Sequence, residues 1–198
     1  MKLSPLPIVI VALVPVSAQA LERDLTGVLM FEAHGGVGLR QIHFPERYAW
    51  DGYYAGRSET TSTRFGGLVG LSAGMGLTRS VGLRLRIDTN FIGDGAFSAD
   101  QLLLGGLDVV TCFGNAESLL WRPFVGFGFG HINGLDYGDF IVPRLGIDML
   151  VPLSGAKDAA GFLLRVALDT GFRSDGVNGV RLGPMLSFSI GLAFDIAL

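Results

Sequence analysis

Cysteine and histidine are scarce in this chain of 198 residues, which has one cysteine, Cys112, and three histidines. A single thiol cannot form a disulfide within the chain, so a disulfide framework is excluded. No histidine is accompanied by cysteines or clustered acidic residues at metal-ligand spacing, so we expect no metal and no cofactor. The formal net charge is only −3 and the charges are dispersed, which argues against nucleic acid as a partner.

Beyond residue 20, the sequence also lacks an uncharged apolar run long enough to form a transmembrane helix. Even the apolar segment 145–153 has Asp148 in its middle. Yet 49% of the residues are hydrophobic and the mean hydropathy is +0.46, which is high for a soluble protein. Only helices and closed β-barrels satisfy every backbone polar group in lipid, so this combination favours a barrel.

The first 20 residues have the pattern of a secretory signal peptide. Lys2 precedes an apolar run at 8–14, Pro15 interrupts it, and small residues follow at Ala18 and Ala20. We predict cleavage after Ala20, which leaves one domain at 21–198. An uncleaved membrane anchor needs about 20 apolar residues, and this run is about half that length.

The last residues of the chain alternate with a period of two. Large apolar side chains occupy every even position from Leu186 to Leu198, whereas serine, glycine, alanine and Asp195 occupy the odd positions between them. This pattern predicts a strand with one apolar and one small, polar face. Such a strand suits a transmembrane barrel, whose outer face meets lipid.

Eight alternating runs predict eight antiparallel strands, and hence an all-β up-and-down transmembrane barrel. The connectors between runs tend to alternate between shorter and longer, and the first, 44–63, is the longest. This alternation is typical of short periplasmic turns and longer extracellular loops. The predicted runs are 27–43, 64–78, 81–91, 101–113, 119–131, 140–152, 161–172 and 182–198.

Alternation alone does not say which face points outward, because a soluble barrel alternates equally well with its apolar face inside. Past residue 20, Lys157 is the single lysine, although the wet outer face of a soluble barrel should be rich in Lys and Glu. Arginine and glycine dominate the polar positions instead. Small residues leave room for long ones in a narrow lumen, so we assign the polar face to the interior.

This assignment places seven basic and six acidic side chains inside the barrel, and near-equal numbers make a neutral ion-pair network feasible. The predicted network comprises Glu32, Arg40, Arg84, Arg86, Asp88, Arg144, Asp148, Arg165, Asp169 and Asp195, and the same face carries Arg64, Asp108 and Arg122. An eight-stranded lumen is nearly filled by side chains. We therefore interpret the network as a structural plug, with a small polar pore or a gated salt bridge as the alternative.

The histidines allow an enzymatic alternative, since some barrels of this size modify lipid A with His, Ser and a carboxylate. His131 lacks a serine two positions later, however, and His34 shares the inward face with Glu32, where a His–Glu hydrogen bond is expected. We therefore predict no catalytic site. The aromatic-rich segment 44–54 is interpreted as part of an interfacial girdle, or alternatively as a contact surface on an extracellular loop.

The segment RPFVGFGFG at 122–130, the signal peptide, the eight runs and the terminal strand together resemble the barrel domain of small outer-membrane proteins of the OmpA and OmpX type. The resemblance implies location in the outer membrane of a Gram-negative bacterium, contact with its lipid and lipopolysaccharide, and insertion by the barrel assembly machinery. It also implies an assembly signal in the terminal strand, with Leu198 where the family has an aromatic residue. The matching residues are Ser189, Gly191, Phe194, Ile196 and Leu198.

The expected function is a non-enzymatic structural or surface-interaction role, without the peptidoglycan-binding domain of full-length OmpA proteins. The extracellular ligand is left open. A narrow conduit for small apolar molecules, similar to the OmpW type, is the first alternative, and a lipid A-modifying enzyme is the second.

Overall fold

The structure is a computed structural model that describes residues 24–44, 60–92, 100–115, 119–133, 138–153, 159–173 and 181–198. The predicted signal peptide and nearly all of the aromatic-rich segment lie outside the described residues. No helix within these ranges is long and apolar enough to cross a membrane.

The described residues form antiparallel strands, and each predicted run coincides with a strand to within a few residues. The strands are β1 (Val28–Phe44), β2 (Thr60–Gly76), β3 (Val81–Ile92), β4 (Asp100–Thr111), β5 (Phe113–Asn115), β6 (Leu119–Asn133), β7 (Gly138–Pro152), β8 (Ala159–Arg173) and β9 (Arg181–Ala197).

Hydrogen bonding between neighbouring strands closes the sheet into a barrel. Strand β1 pairs with β2 on one side and with β9 on the other, and β4 pairs with β6. Among the described residues, the short β5 pairs only with β6, which also pairs with β4. Strands β4 and β5 therefore together form one of the eight strands of the barrel. The predicted eight-stranded antiparallel up-and-down barrel is therefore confirmed.

One predicted strand is interrupted. The run 101–113 is predicted as continuous, but the chain leaves the strand at Cys112, whose backbone N–H donates to the carbonyl oxygen of Ser80 at 3.0 Å. Gly114 then has a φ of 116°, a conformation that L side chains rarely adopt. The break lies where this part of the chain contacts the β2–β3 turn.

The two ends of the barrel differ. The end with residues 24–27, the turn at 77–80 and the connectors after β5 and β7 is called the terminal end; the end with the other four connectors is called the distal end. At the terminal end, Gly27 has a φ of 71° and Leu25 is fully buried, with its N–H donating to the Arg79 carbonyl oxygen at 3.0 Å.

Hydrogen bonds from Thr26 lower the pKa of the nearby, exposed Asp24 carboxyl.

The large apolar side chains point outward, as assigned from the sequence. Ile190, Leu85, Leu71 and Phe129 are each more than 60% exposed, and they alternate along their strands with buried or small residues. The outer wall is thus a continuous apolar surface whose backbone groups are paired within the barrel.

Strand β9 departs from simple alternation near the distal end. Arg40 is paired with Met185 and Ile42 with Leu182, so β9 has one extra residue there, and the same shift occurs against β8. This β-bulge changes the facing of β9, as bulges do. Uninterrupted alternation would place Leu182 on the outer face, but it is 2% exposed and points inward.

The lumen is filled in layers. An apolar layer lies near the distal end, a layer rich in charged side chains occupies the middle, and a second apolar layer lies near the terminal end. The distal layer comprises Ile42, Leu102, Leu104, Phe140, Val142 and Leu182. The terminal layer comprises Leu25, Cys112, Leu120, Leu150, Leu163 and Ala193.

Candidate functional site in the barrel lumen

The charged side chains predicted to face inward lie inside the barrel. Each of the ten predicted network residues is at most 7% exposed, and Asp108 and Arg122 are fully buried. Arg64 is the exception among the inward charges, because it is only half-buried near the distal end. Alternation along each strand is sufficient to bring these groups into one lumen.

Glu32 is the centre of the network. Its carboxylate accepts hydrogen bonds from Arg84 Nη1 at 2.9 and 3.0 Å and from Arg165 Nη2 at 2.6 Å. Ser72 Oγ donates to the same carboxylate at 2.7 Å. Strands β1, β2, β3 and β8 therefore meet at a single side chain.

Asp148 joins the same two arginines from β7. It accepts from Arg84 Nη1 at 2.6 Å, from Arg165 Nε at 2.6 Å and from Arg165 Nη2 at 2.8 Å. The Nε and Nη2 atoms of Arg165 thus form a bidentate interaction with both carboxylate oxygens of Asp148, a geometry that the planar guanidinium favours. Arg84 and Arg165 bridge Glu32 and Asp148 across the lumen.

A second branch extends from Arg84 through β4. Arg84 Nη2 and Arg86 Nε each donate to Asp108 at 3.1 Å, and Arg86 Nη1 donates to Asp88 at 2.8 Å. Arg144 Nη1 donates to the same oxygen of Asp88 at 2.6 Å. Strands β3, β4 and β7 are therefore linked in a continuous chain of ion pairs.

Two further pairs lie toward the ends. Arg122 pairs with Asp195 on β9, and its Nη1 lies 3.8 Å from Glu32. Toward the distal end, Arg40 Nη2 donates to Asp169 at 2.7 Å and contacts Met185 Sδ at 2.9 Å. The Arg40–Asp169 pair stands apart from the central network.

His34 has other partners than the expected Glu32. Its Nε2 lies 3.3 Å from Asp88 Oδ1, and its Nδ1 lies 3.2 Å from Arg165 Nη1. Residues two apart on one strand share a face, but one follows the other along the strand axis. Asp88 and Arg165 instead reach His34 from other strands. The expected His34–Glu32 hydrogen bond is therefore replaced by contacts across the lumen.

The ring of Phe124, which the alternation places inside the barrel, makes contacts with the network that the sequence did not predict. The guanidinium carbons of Arg84, Arg144 and Arg165 lie 4.7, 5.0 and 5.3 Å from the ring centroid. These distances are within the range of cation–π attraction. Its inward position is predictable from alternation, but its contact with three arginines depends on the tilt and stagger of the strands.

The central network is balanced in charge. Five arginines (Arg84, Arg86, Arg122, Arg144 and Arg165) contact five carboxylates (Glu32, Asp88, Asp108, Asp148 and Asp195). Buried charges are tolerated when they are paired and hydrogen-bonded. The arrangement can therefore fill the lumen without a net buried charge.

The predicted assembly-signal residues lie along the terminal half of β9. Ser189 is buried and points inward, whereas Phe194, Ile196 and Leu198 are 46, 44 and 85% exposed on the outer side. Gly191 packs so closely against β1 that a Cβ there would collide with the Ala33 carbonyl oxygen. Phe194 and Ile196 lie in register with Phe31 and Leu29 at the β1–β9 seam.

No family model matches the chain, and no curated protein matches it. Two solved structures are similar to it. Neisserial surface protein A (NspA) shares 11% identity at a TM-score of 0.51, covering 85% of this chain and 96% of that chain. The outer membrane protein OprG from Pseudomonas aeruginosa shares 12% identity at a TM-score of 0.51, covering 89% and 99%. The fold is that of the small outer-membrane β-barrels. At this identity the likeness concerns the fold, and the resemblance predicted from the sequence is confirmed at that level.

Proposed function

We propose that this protein is a closed, non-enzymatic barrel of the bacterial outer membrane with a structural or surface-interaction role. The observation that carries the proposal is the filled lumen, in which a neutral ion-pair layer lies between two apolar layers. A conducting pore needs a continuous wet path. Here Arg84 and Arg165 occupy the centre of the lumen, with Phe124 beside them.

The apolar layers strengthen the case for a closed lumen. Phe140 and Leu102 in the distal layer and Leu120 and Leu150 in the terminal layer are at most 1% exposed. A cavity beside the network, lined by His34, Asp88 and other residues, measures about 10 Å³. That is room for roughly one water molecule. A space of this size can hydrate a plug but is too small to carry current.

The outer wall supports the outer-membrane location. It exposes Phe, Leu, Ile and Val side chains from every long strand, and a surface of this kind is stable in contact with hydrocarbon. We propose that membrane lipid and lipopolysaccharide contact this wall, and that the barrel assembly machinery inserts the protein through β9. In this proposal a surface-interaction role belongs to the distal connectors, which lie outside the described residues.

Replacing Ile190 with arginine tests the membrane-facing wall. Ile190 lies in mid-strand and is 68% exposed, so an arginine there would sit near the bilayer midplane and should cost about 2–4 kcal/mol of folding free energy. The measurement is refolding into liposomes, scored by the heat-modifiable electrophoretic mobility that folded outer-membrane barrels show. We expect a band with altered mobility for the wild type and a markedly smaller folded fraction for Ile190→Arg.

Leu77→Arg is the matched control. Leu77 is also exposed, at 46%, but it lies in the turn at the terminal end, where an arginine reaches the aqueous interface at little cost. Equal folded fractions for the two variants would show that Ile190 does not face hydrocarbon, and would reject the proposed location.

The alternative functions have separate tests. A narrow conduit predicts steady ion or solute flux through the wild-type barrel. A lipid A-modifying enzyme predicts a change in the mass spectrum of lipid A from a deletion strain. His131 was compared above with the histidine of lipid A-modifying enzymes. Its Nδ1 lies 2.7 Å from Asp139 Oδ1, and both side chains are more than half exposed. We expect an unchanged lipid A spectrum.

A further inference from the structure

The small cavity beside the central network brings polar side chains from several strands together. It measures about 10 Å³, so it has room for one particle of roughly the size of a water molecule. Its lining includes Asp88 from β3, Arg144 from β7 and Ser189 from β9. These three side chains decide what the cavity can bind.

The ion pair between Arg144 and Asp88 leaves one donor and one acceptor unpaired. Arg144 Nη1 donates to Asp88 Oδ2 at 2.6 Å, but Arg144 Nε is buried without a hydrogen-bond partner among the described residues. Asp88 Oδ1 lies 3.3 Å from His34 Nε2, yet no hydrogen bond of suitable geometry reaches it from the described residues. Both side chains are at most 7% exposed, so bulk solvent does not satisfy them, and leaving them unpaired is costly.

The chemistry of this lining selects a water molecule over an ion. Water accepts a hydrogen bond from Arg144 Nε and donates one to Asp88 Oδ1 at the same time. A halide only accepts hydrogen bonds, and the carboxylates of Asp88 and Asp169 in the lining repel it. A metal cation cannot accept from Arg144 and is repelled by its guanidinium group.

Strand β9 supplies a further partner for this water. Ser189 is 5% exposed, and its hydroxyl can both donate and accept. Ser187 also lines the cavity, but its Oγ donates to the Ala167 carbonyl oxygen at 3.3 Å. A molecule held between Arg144 and Ser189 links the central network to the middle of β9, in addition to the pair that Asp195 forms with Arg122.

We propose that this cavity binds one long-lived water molecule that bridges Arg144 Nε, Asp88 Oδ1 and the Ser189 hydroxyl. The inference rests on the closed lumen proposed above, because an open lumen would expose these groups to many exchanging water molecules. The bound water completes the hydrogen bonding of the plug at this point. It also gives Ser189 a role inside the barrel that is separate from its place in the predicted assembly signal.

The Nε–H group of Arg144 is the reporter for the bound water. NMR spectra of the wild-type barrel in detergent micelles should show a dipolar cross peak between water and this N–H, with the sign of a long-lived bound molecule. The Nε–H of Arg165, which donates to Asp148 at 2.6 Å, is the internal control and should show no such peak. The absence of a peak at Arg144 would overturn the water site while leaving the closed lumen intact. Water peaks at both groups would show a solvated lumen and reject both proposals.

Two serine variants test the contact with β9. Ser189→Ala removes one partner of the water and should weaken the Arg144 cross peak or abolish it. Ser72→Ala is the matched control, because Ser72 is also buried but donates to Glu32 at 2.7 Å outside this cavity, and it should retain the peak. An undiminished peak in Ser189→Ala would reject the role of Ser189.

A crystal structure of the wild-type barrel provides a second measurement that needs no variant. We expect one ordered water molecule within hydrogen-bonding distance of both Arg144 Nε and Asp88 Oδ1. An empty cavity, or a direct hydrogen bond between these two atoms, would overturn the proposal.

Discussion

Replacing Arg165 with alanine is expected to lower the free energy of unfolding by about 3–5 kcal/mol. Arg165 donates to Asp148 through Nε and Nη2 and to Glu32 through Nη2, and all three side chains are at most 4% exposed. Without Arg165, two carboxylates share fewer cations in a low-dielectric lumen, and the guanidinium contact with Phe124 is lost. Urea unfolding of the barrel in detergent or lipid measures the change.

Arg79→Ala is the control for this experiment. Arg79 pairs with Asp24 at 3.5 Å at the terminal end, where its side chain is 86% exposed. Water solvates both groups there, so we expect no measurable change in the unfolding midpoint. If Arg165→Ala behaved like Arg79→Ala, the lumen charges would be solvated and the closed network would be rejected.

Deleting residues 194–198 is expected to abolish assembly in the outer membrane. The deletion removes the pairs of Phe194 with Phe31 and of Ile196 with Leu29, and it takes Asp195 away from Arg122. An open edge in lipid leaves backbone groups without partners, so the truncated protein should be degraded or remain in the periplasm. Immunoblotting of the outer-membrane fraction checks this expectation.

A double alanine variant distinguishes loss of the β1–β9 pairing from loss of the proposed assembly signal. Phe194→Ala with Ile196→Ala keeps the backbone pairing and Asp195 but removes two exposed side chains of the proposed signal. If β9 is read as a signal, the double variant should refold in detergent yet reach the outer membrane at reduced levels. Normal outer-membrane levels of the truncated protein would refute the role of β9 in assembly.

Alternation in the sequence was sufficient to predict the strands and their faces. The period of two places Arg84 and Arg86 in the lumen and Leu85 on the wall, and no tertiary information is needed for that. The bulge in β9 marks the limit of this reasoning. At Gly183 and Pro184 an extra residue shifts the register, and Leu182 consequently faces inward.

The partners within the lumen could not be predicted from alternation. Glu32 on β1 meets Arg84 from β3 and Arg165 from β8, and neither strand is a hydrogen-bonded neighbour of β1. Which side chains meet across a lumen depends on strand tilt and stagger, which a one-dimensional pattern does not contain. Strand tilt and stagger likewise determine that His34 contacts Asp88.

Close backbone packing was also hidden from the sequence. Alternation predicts that arginine at the inward-facing Gly191 is better tolerated than arginine at Ile190, because it merely crowds the lumen. In the structure, a Cβ at Gly191 collides with the Ala33 carbonyl oxygen, so any side chain there forces the backbone of the seam apart. We therefore expect Gly191→Arg to be disruptive, and Leu77→Arg is the appropriate control.

Single-channel recording of the wild-type protein in planar bilayers tests the closed lumen most directly. Insertion is verified independently by the heat-modifiable band of the same preparation. We predict no discrete current steps, because the central network and both apolar layers occupy the lumen. Steady, stepwise conductance from verified barrels would contradict the closed lumen and favour a conduit.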